Sequence, residues 1–349
     1  MIQPPLLFSG NSNPKLAEKI AERMQTRVGS AMVGRFRNDE CRIEIRENVR
    51  GAEVFVLQSL CEIPKNKSVP AGGSVNDALM ELLLMIDALR RASAQRITAV
   101  VPYYGYAKQD KKTKGREPIS AKLVANMLAT AGAARVVTLD LHAAQIQGFF
   151  DLPVDNLMAA PDLSNYLKRS ELQGDRIVVV SPDAGGVARA ENFAKRLRAP
   201  IAVIIKRRPE PDVSEVSHVV GEVAGRVAVV VDDMISTGGT LVKAAEKLKE
   251  MGAIDVYTLA THGIFAGDAI AQLEASPIKK VVVTNTIPTE PQGKIEVLSI
   301  AQVLADAIKR ITANRSVSEL FNSAEDGEGT SDSPPFDVIT PTGSLAAAR

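Results

Sequence analysis

Tryptophan is absent from this 349-residue chain, aromatic residues make up only 4% of it, and it holds two cysteines and three histidines. Cys41 and Cys61 form neither a disulfide framework nor a metal pattern, which excludes a disulfide-stapled secreted domain and fits a reducing cytoplasm. No apolar run reaches the roughly 20 residues that span a bilayer. Residues 1–10 lack the basic region and cleavage pattern of a signal peptide, so no membrane partner is expected. Charge of one sign is lacking too. With 42 Lys and Arg against 41 Asp and Glu, the formal net charge is +1. Long-range steering of a nucleic acid is therefore not expected, although local basic clusters can still hold small phosphates.

What is present is alternation. Apolar strand candidates lie at 54–57, 97–101, 136–140, 177–181, 201–205, 227–231, 256–260 and 281–284. Helical periodicity lies at 14–24, 77–92, 119–132, 186–197, 239–251 and 299–312. This order predicts an α/β protein with mainly parallel sheets flanked by helices. The length suits two domains. Residues 80–107 and 240–266 echo each other as helix, strand and a glycine-containing end, which suggests two similar domains, 1–158 and 159–322. The competing view is that any two helix–strand units look alike. The last helix, at 299–312, has the option of packing back on the first domain. Residues 323–349 contain Glu-Asp-Gly-Glu-Gly-Thr-Ser-Asp-Ser-Pro-Pro and are expected to be a disordered tail.

Residues 227–241, Val-Ala-Val-Val-Val-Asp-Asp-Met-Ile-Ser-Thr-Gly-Gly-Thr-Leu, are the most informative stretch. A buried strand ends in two carboxylates, and a hydroxyl- and glycine-rich loop opens a helix. Backbone N–H groups at a helix N-terminus favour a phosphate, and glycine lets the backbone approach it. Asp232 and Asp233 stand where ligands bind in open α/β sheets and can accept hydrogen bonds from sugar hydroxyls. An ordinary capped turn would explain one hydroxyl, but not two adjacent carboxylates and two glycines between threonines.

Other strand ends carry chemistry as well. His142 follows Asp140 and Leu141 after strand 136–140, and a neutral imidazole there can bind a metal or donate to phosphate. Ser181-Pro182-Asp183-Ala184-Gly185-Gly186 offers a Mg²⁺ ligand in Asp183 and small residues whose N–H groups can face an anion. A plain turn is the alternative. Lys206-Arg207-Arg208-Pro209 reads as a mobile basic loop able to close on a polyphosphate, or else as solvated surface. Phe36 can stack on a purine while Asn38 and Glu40 read its edge, and Lys108 can contact phosphate.

Taken together, these segments resemble the ribose-phosphate diphosphokinases, also called phosphoribosyl diphosphate synthetases, over about residues 6 to 321. Ile-Ser-Ala-Lys-Leu-Val-Ala-Asn at 119–126, Gln-Ile-Gln-Gly-Phe-Phe-Asp at 145–151 and Thr-His-Gly-Ile-Phe at 261–265 carry the likeness. The resemblance implies two type I phosphoribosyltransferase-like domains and transfer of a diphosphoryl group from MgATP to ribose 5-phosphate. It implies that Phe36, Asn38 and Glu40 hold adenine from a neighbouring subunit, and that Lys108, Gln109 and His142 contact ATP. His142 and Asp183 match the magnesium-linked positions, and Lys206 and Arg208 the catalytic loop. Arg208, Asp232, Asp233, Ser236, Thr237, Gly238, Gly239 and Thr240 match the ribose 5-phosphate site. Ser316, Val317, Ser318 and Phe321 match an allosteric phosphate/ADP site in a hexameric class. The chain departs from the pattern at Ser236, where an acidic residue is common, and at Lys108, where arginine is usual. It also departs at Thr113 and in an insertion at 62–75. Rival readings are a phosphoribosyltransferase and a non-catalytic regulatory subunit of the synthetase.

Overall fold

The computed structural model describes residues 4–210, 213–322, 337–340 and 345–347. The chain divides into two compact units. The first comprises residues 1–158, 286–288 and 300–320, and the second comprises 159–285, 289–299 and 321–349.

In the first unit the strands are β1 (Leu6–Ser9), β2 (Ala31–Arg35), β3 (Cys41–Ile45), β4 (Glu53–Leu57), β5 (Arg96–Val101), β6 (Arg135–Leu139) and β7 (Val154–Leu157). The helices are α1 (Pro14–Arg23), α2 (Val75–Arg91) and α3 (Ser120–Ala131). A parallel sheet runs in the order β1-β4-β5-β6-β7, and β2 and β3 form a separate antiparallel ribbon. Val54, Val56, Ala99 and Val136 are buried with Leu82, Met85 and Ile86 of α2. Strands covered on both faces read as unbroken apolar runs, which is why the sequence marked them. Ser74 and Asp77 form a reciprocal capping box that starts α2.

The second unit contains α4 (Ala160–Arg169), β8 (Ile177–Ser181), α5 (Val187–Leu197), β9 (Ile201–Glu210), β10 (Val213–Val220), β11 (Val227–Ile235), α6 (Gly239–Glu250), β12 (Val256–Gly263), α7 (Ala269–Ala275), β13 (Lys280–Thr284) and β14 (Ile295–Leu298). The strand order β9-β8-β11-β12-β13-β14 is parallel, with β10 antiparallel beside β9. The chain steps from β8 outward to β9, then returns to the other side of β8 for β11. This reversal makes a topological switch point between β8 and β11, where a crevice opens at the strand carboxyl ends. The first sheet has no such reversal between β4 and β7. Helix α8 (Ala301–Thr312) belongs to the first unit and packs on α1, with Lys309 Nζ donating to the Arg23 carbonyl at 2.8 Å.

Of the tail expected to be disordered, 337–340 and 345–347 are among the described residues, and they hold two short strands. After α9 (Glu319–Asn322), the short strands β15 (Asp337–Ile339) and β16 (Leu345–Ala347) extend the second sheet, Val338 pairing with Leu298 of β14. The acidic, proline-containing stretch at 323–336 lies outside the described residues. Beyond it, Val338 and Ile339 supply the apolar residues needed to pair with an edge strand that otherwise exposes its backbone groups. The sequence pattern also leaves unmarked β1, the β2–β3 ribbon, β7, β10, β14, α4 and α7.

Candidate functional site

Strand β11 runs further than its apolar core, through Asp232 and Asp233 to Ile235, because Met234 and Ile235 pair in register with His262 and Gly263 of β12. Asp233 is 3% exposed, whereas Asp232 is half-buried. The Asp233 N–H donates to Asp232 Oδ1 at 2.8 Å.

A cation absent from the sequence reading meets this pair. Arg189 Nη1 lies 3.2 Å from Asp232 Oδ1, and Nη2 lies 3.5 Å from Asp233 Oδ1. Arg189 is the third residue of α5, where the helix dipole disfavours a cation. That misplaced charge was the available signal. Burial, then the hydrogen bond and charge of Asp233, push the Asp232 carboxyl well above the usual carboxylate range, and Arg189 opposes them.

The loop Ser236-Thr237-Gly238 passes from β11 into α6. Gly238 caps the helix at φ 78°, a conformation that glycine adopts without strain, and no side chain caps the first turn. The N–H groups of Gly239 and Thr240 lead α6 without an intrahelical acceptor, whereas those of Leu241 and Val242 donate to the Gly238 carbonyl at 2.9 and 3.1 Å. Thr237 and Thr240 are exposed, and Ser236 is half-buried. Gly239 is different from Gly238. Its φ is not in the left-handed region, and a Cβ there would meet only Gln272 Oε1 at 3.8 Å. The fold does not require glycine at 239, but a ligand brought against the backbone would.

Across the switch point, Asp183 follows β8. Its Oδ1 accepts the N–H groups of Gly185 at 3.0 Å and Gly186 at 3.1 Å. This corrects the expectation that those two N–H groups face an anion, because Asp183 itself takes them as an Asx-type cap. Lys206 and Arg208 also differ from expectation in backbone. They lie in β9, in a ribbon where Val216 pairs with Lys206 and Glu215 with Arg207. Their side chains lie outside the described residues.

In the first unit, Phe36, Asn38 and Glu40 occupy the tip of the β2–β3 ribbon. The Phe36 N–H donates to the Glu40 carbonyl at 2.8 Å, the Asp39 N–H to the Phe36 carbonyl at 3.1 Å, and Asp39 sits at φ 66°. This three-residue hairpin loop leaves all three named side chains exposed, Phe36 to 49% with Arg42 stacked 5.5 Å from its ring centre. Lys108 and Gln109 are exposed on the loop after β5, and Gln109 Oε1 accepts from Ser120 at the start of α3. His142 is half-buried on the turn after β6, next to Asp140 at φ 37°. After α8, Ser316 and Ser318 share a hydrogen bond of 2.8 Å, and Arg310 Nη1 donates to the Ser316 carbonyl at 2.8 Å. Val317 is half-buried. Phe321 lies in α9, its side chain outside the described residues.

Two parallel-sheet units, one bearing an acidic strand end that runs into a glycine-capped helix at a switch point, define the phosphoribosyltransferase-like class of α/β protein. Residues 5–132 match the model of the N-terminal domain of ribose phosphate pyrophosphokinase, and residues 211–322 match the phosphoribosyl synthetase-associated domain. The ribose-phosphate pyrophosphokinase of Clostridium acetobutylicum is 52% identical over 318 residues, covering 90% of this chain and 96% of that protein. The Bacillus caldolyticus protein of the same name is 53% identical, covering 90% and 97%. The crystal structure of phosphoribosylpyrophosphate synthetase from Mycobacterium smegmatis superposes with a TM-score of 0.79 at 43% identity, covering 89% of this chain and all of that one. The chain belongs to the ribose-phosphate pyrophosphokinase family.

Proposed function

We propose that the chain transfers the diphosphoryl group of ATP to the C1 hydroxyl of D-ribose 5-phosphate, giving 5-phospho-α-D-ribose 1-diphosphate and AMP for nucleotide biosynthesis. The observation that carries this reading is the Asp232–Asp233 strand end joined to the uncapped, glycine-opened start of α6. The 5-phosphate is held by Ser236, Thr237, Thr240 and the N–H groups around Gly238 and Gly239, and Asp232 and Asp233 accept from the ring hydroxyls. The anomeric oxygen is thereby fixed in place. It attacks the β-phosphorus, the bond from the β-phosphorus to the α,β-bridging oxygen breaks, AMP leaves, and the hydroxyl proton passes to solvent. Lys206 and Arg208 offset charge on the group in transit, Arg208 also reaching the sugar phosphate.

The Asp183 carboxylate is an oxygen donor of the kind Mg²⁺ takes. Among the described residues no three His, Cys, Asp or Glu side chains form a metal cluster. Asp183 and His142 are the single donors proposed from their units. Mg²⁺ is commonly bound by one or two protein carboxylates together with substrate phosphates and water. When bound, the ion supplies Lewis-acid neutralisation of the phosphate oxygens. Phe36, Asn38 and Glu40, exposed on their ribbon tip, reach the adenine of a neighbouring protomer, while Lys108, Gln109 and His142 contact ATP in their own. The resulting assembly is a homo-oligomer, in the form of a hexamer, with Ser316, Val317, Ser318 and Phe321 lining its allosteric anion site. No helix among the described residues is long and apolar enough to cross a membrane, and a cytoplasmic location is part of the proposal.

The test is product identity. Protein, Mg²⁺, ATP and ribose 5-phosphate are expected to yield AMP and a phosphoribosyl diphosphate in equal amounts by 31P NMR. ADP as the sole nucleotide product, or no turnover, would overturn the reading.

A second expectation follows from Gly239. Gly239→Ala is expected to keep its melting temperature, since the added Cβ meets only Gln272 at 3.8 Å. The same methyl group would stand where the phosphate approaches the backbone. KM for ribose 5-phosphate should rise about tenfold or more, with KM for ATP nearly constant. Equal KM values for both substrates before and after the change would remove α6 from the site.

A further inference from the structure

The place in the first sheet that corresponds to the sugar-phosphate site is filled by the chain's own side chains. Unit one runs β1, α1, ribbon β2–β3, β4, α2, and unit two runs β8, α5, ribbon β9–β10, β11, α6. In each, the fourth strand lies beside the first. Gln58 leaves the carboxyl end of β4 where Asp232 stands in β11. Gln58 Oε1 accepts from the Ser12 N–H at 3.1 Å and the Ser12 hydroxyl at 2.8 Å, and its Nε2 donates to Glu81 Oε2 at 2.9 Å. Glu81 is 0% exposed, in the apolar face of α2. Its Oε1 accepts from Asn11 Nδ2 at 2.9 Å and Arg35 Nη1 at 2.6 Å, and its Oε2 also accepts from the Asn11 N–H at 3.2 Å. Asp77 Oδ1 is the other carboxylate near Arg35, 3.8 Å from Nη2.

Arg35 is the last residue of β2 and immediately precedes Phe36. A two-stranded ribbon is marginal on its own. This one has Ile43 and Ile45 against the core, and at its far end a single guanidinium inserted into a buried carboxylate cluster. The carboxylate needs the cation because an unpaired buried charge is strongly disfavoured. Through Glu81 the cation ties the ribbon end to α2 and to the segments that follow β1 and β4. We infer that the Asn11–Arg35–Gln58–Glu81 cluster is a positioning device that fixes the Phe36–Glu40 tip in its nucleotide-binding geometry. The inference deepens the proposed ATP site and rests on that reading of Phe36.

The test compares Glu81→Gln and Asn11→Ala, the second in case the first does not fold, with Arg35→Lys as the charge-conserving variant and Phe36→Ala as the site control. The readouts are KM for each substrate, and amide exchange across 31–45. Loosening a site by about an ångström can cost up to about a hundredfold. Glu81→Gln is expected to raise KM for ATP about tenfold or more, to leave KM for ribose 5-phosphate within about twofold, and to speed exchange in the ribbon. Arg35→Lys, which keeps the charge opposite Glu81, should show only a small part of that loss. Unchanged exchange across 31–45, or both KM values rising together, would overturn the positioning role. A Phe36→Ala variant with normal KM for ATP would instead overturn the assignment of the tip to adenine, while faster ribbon exchange in Glu81→Gln would still support the anchor itself.

Discussion

Lys206→Ala is expected to lower kcat about 10²- to 10³-fold while KM and direct binding of ribose 5-phosphate stay within about threefold. The asymmetry follows from where charge resides. On the proposed reading, the 5-phosphate is held in the ground state by the α6 N-terminus, and the ring hydroxyls by Asp232 and Asp233. The diphosphoryl group gains its electrostatic need only while it moves between two oxygens, and a cation aimed there acts on the transition state more than on the ground state. Lys206 is carried on the β9–β10 ribbon, whose backbone pairs Lys206 with Val216 beyond the edge of β8. A ribbon held by one neighbouring strand can shift as a body, and the proposed closure of its cations on the substrate needs such a shift. Calorimetric titration of ribose 5-phosphate beside single-turnover kinetics separates the two quantities. A variant with near-normal kcat, or one that loses sugar-phosphate binding in proportion to rate, would remove Lys206 from the transferring group. Lys206→Arg keeps the charge with a different fork and should retain more turnover than alanine.

The parts legible in the sequence were those governed by short-range patterns. Strands such as Val227–Ile235 and Ile177–Ser181 are buried on both faces, so their unbroken valine and isoleucine runs stand out. The Gly238–Gly239 loop is legible because two glycines between threonines are more than a helix cap requires. The β2–β3 ribbon was less visible because it is short, although Cys41, Ile43 and Ile45 alternate with Arg42 and Glu44 in the period of a half-buried strand. Long-range pairings were not legible. Nothing adjacent to Arg189 announces that its guanidinium meets carboxylates more than forty residues on, at 3.2 and 3.5 Å. Glu81 carried a signal that went unread. It falls among Ala78, Leu82 and Met85 on the buried face of α2, where a charge requires a partner. The basic segment at 206–208 looked like a loop because cations followed by proline argue against a central strand. Pro209 falls where the β9–β10 pairing shifts register, between the Arg207–Glu215 and Glu210–Val213 pairs, and proline is tolerated at such an irregularity, so the strand continues to Glu210. The tail was judged by the composition of its acidic part, which hid the Asp337–Ile339 strand beyond it.

Arg189→Met should displace the pH profile of ribose 5-phosphate binding toward higher pH, and at neutral pH raise its KM about tenfold to a hundredfold. Asp232 has a raised pKa in the folded chain, from burial first and from Asp233 second, with Arg189 as the opposing influence. An acid whose pKa is raised on folding holds its proton more tightly in the native state. Its contribution to stability is therefore fully present below the ordinary aspartate range near about 4 and is lost as pH rises through the native value. That native value is about 7 for Asp232 with Arg189 in place, so the loss extends into the neutral range. Accepting hydrogen bonds from sugar hydroxyls favours the ionised form, so in the unaltered chain KM for ribose 5-phosphate should fall as pH rises through neutrality. Without the guanidinium the carboxyl pKa climbs further, and the fall in KM should occur at higher pH. The substrate's own phosphate also titrates, with a second pKa near about 6, but it does so identically for both proteins and cancels in the comparison. Arg189→Lys keeps a cation while losing the two-pronged contact, and its profile should lie between the other two. Measured from about pH 6 to about pH 9, parallel curves offset only in height would mean that Arg189 merely braces the fold. A lateral shift of the variant curve would mean that it sets the charge on the strand end proposed to hold the sugar.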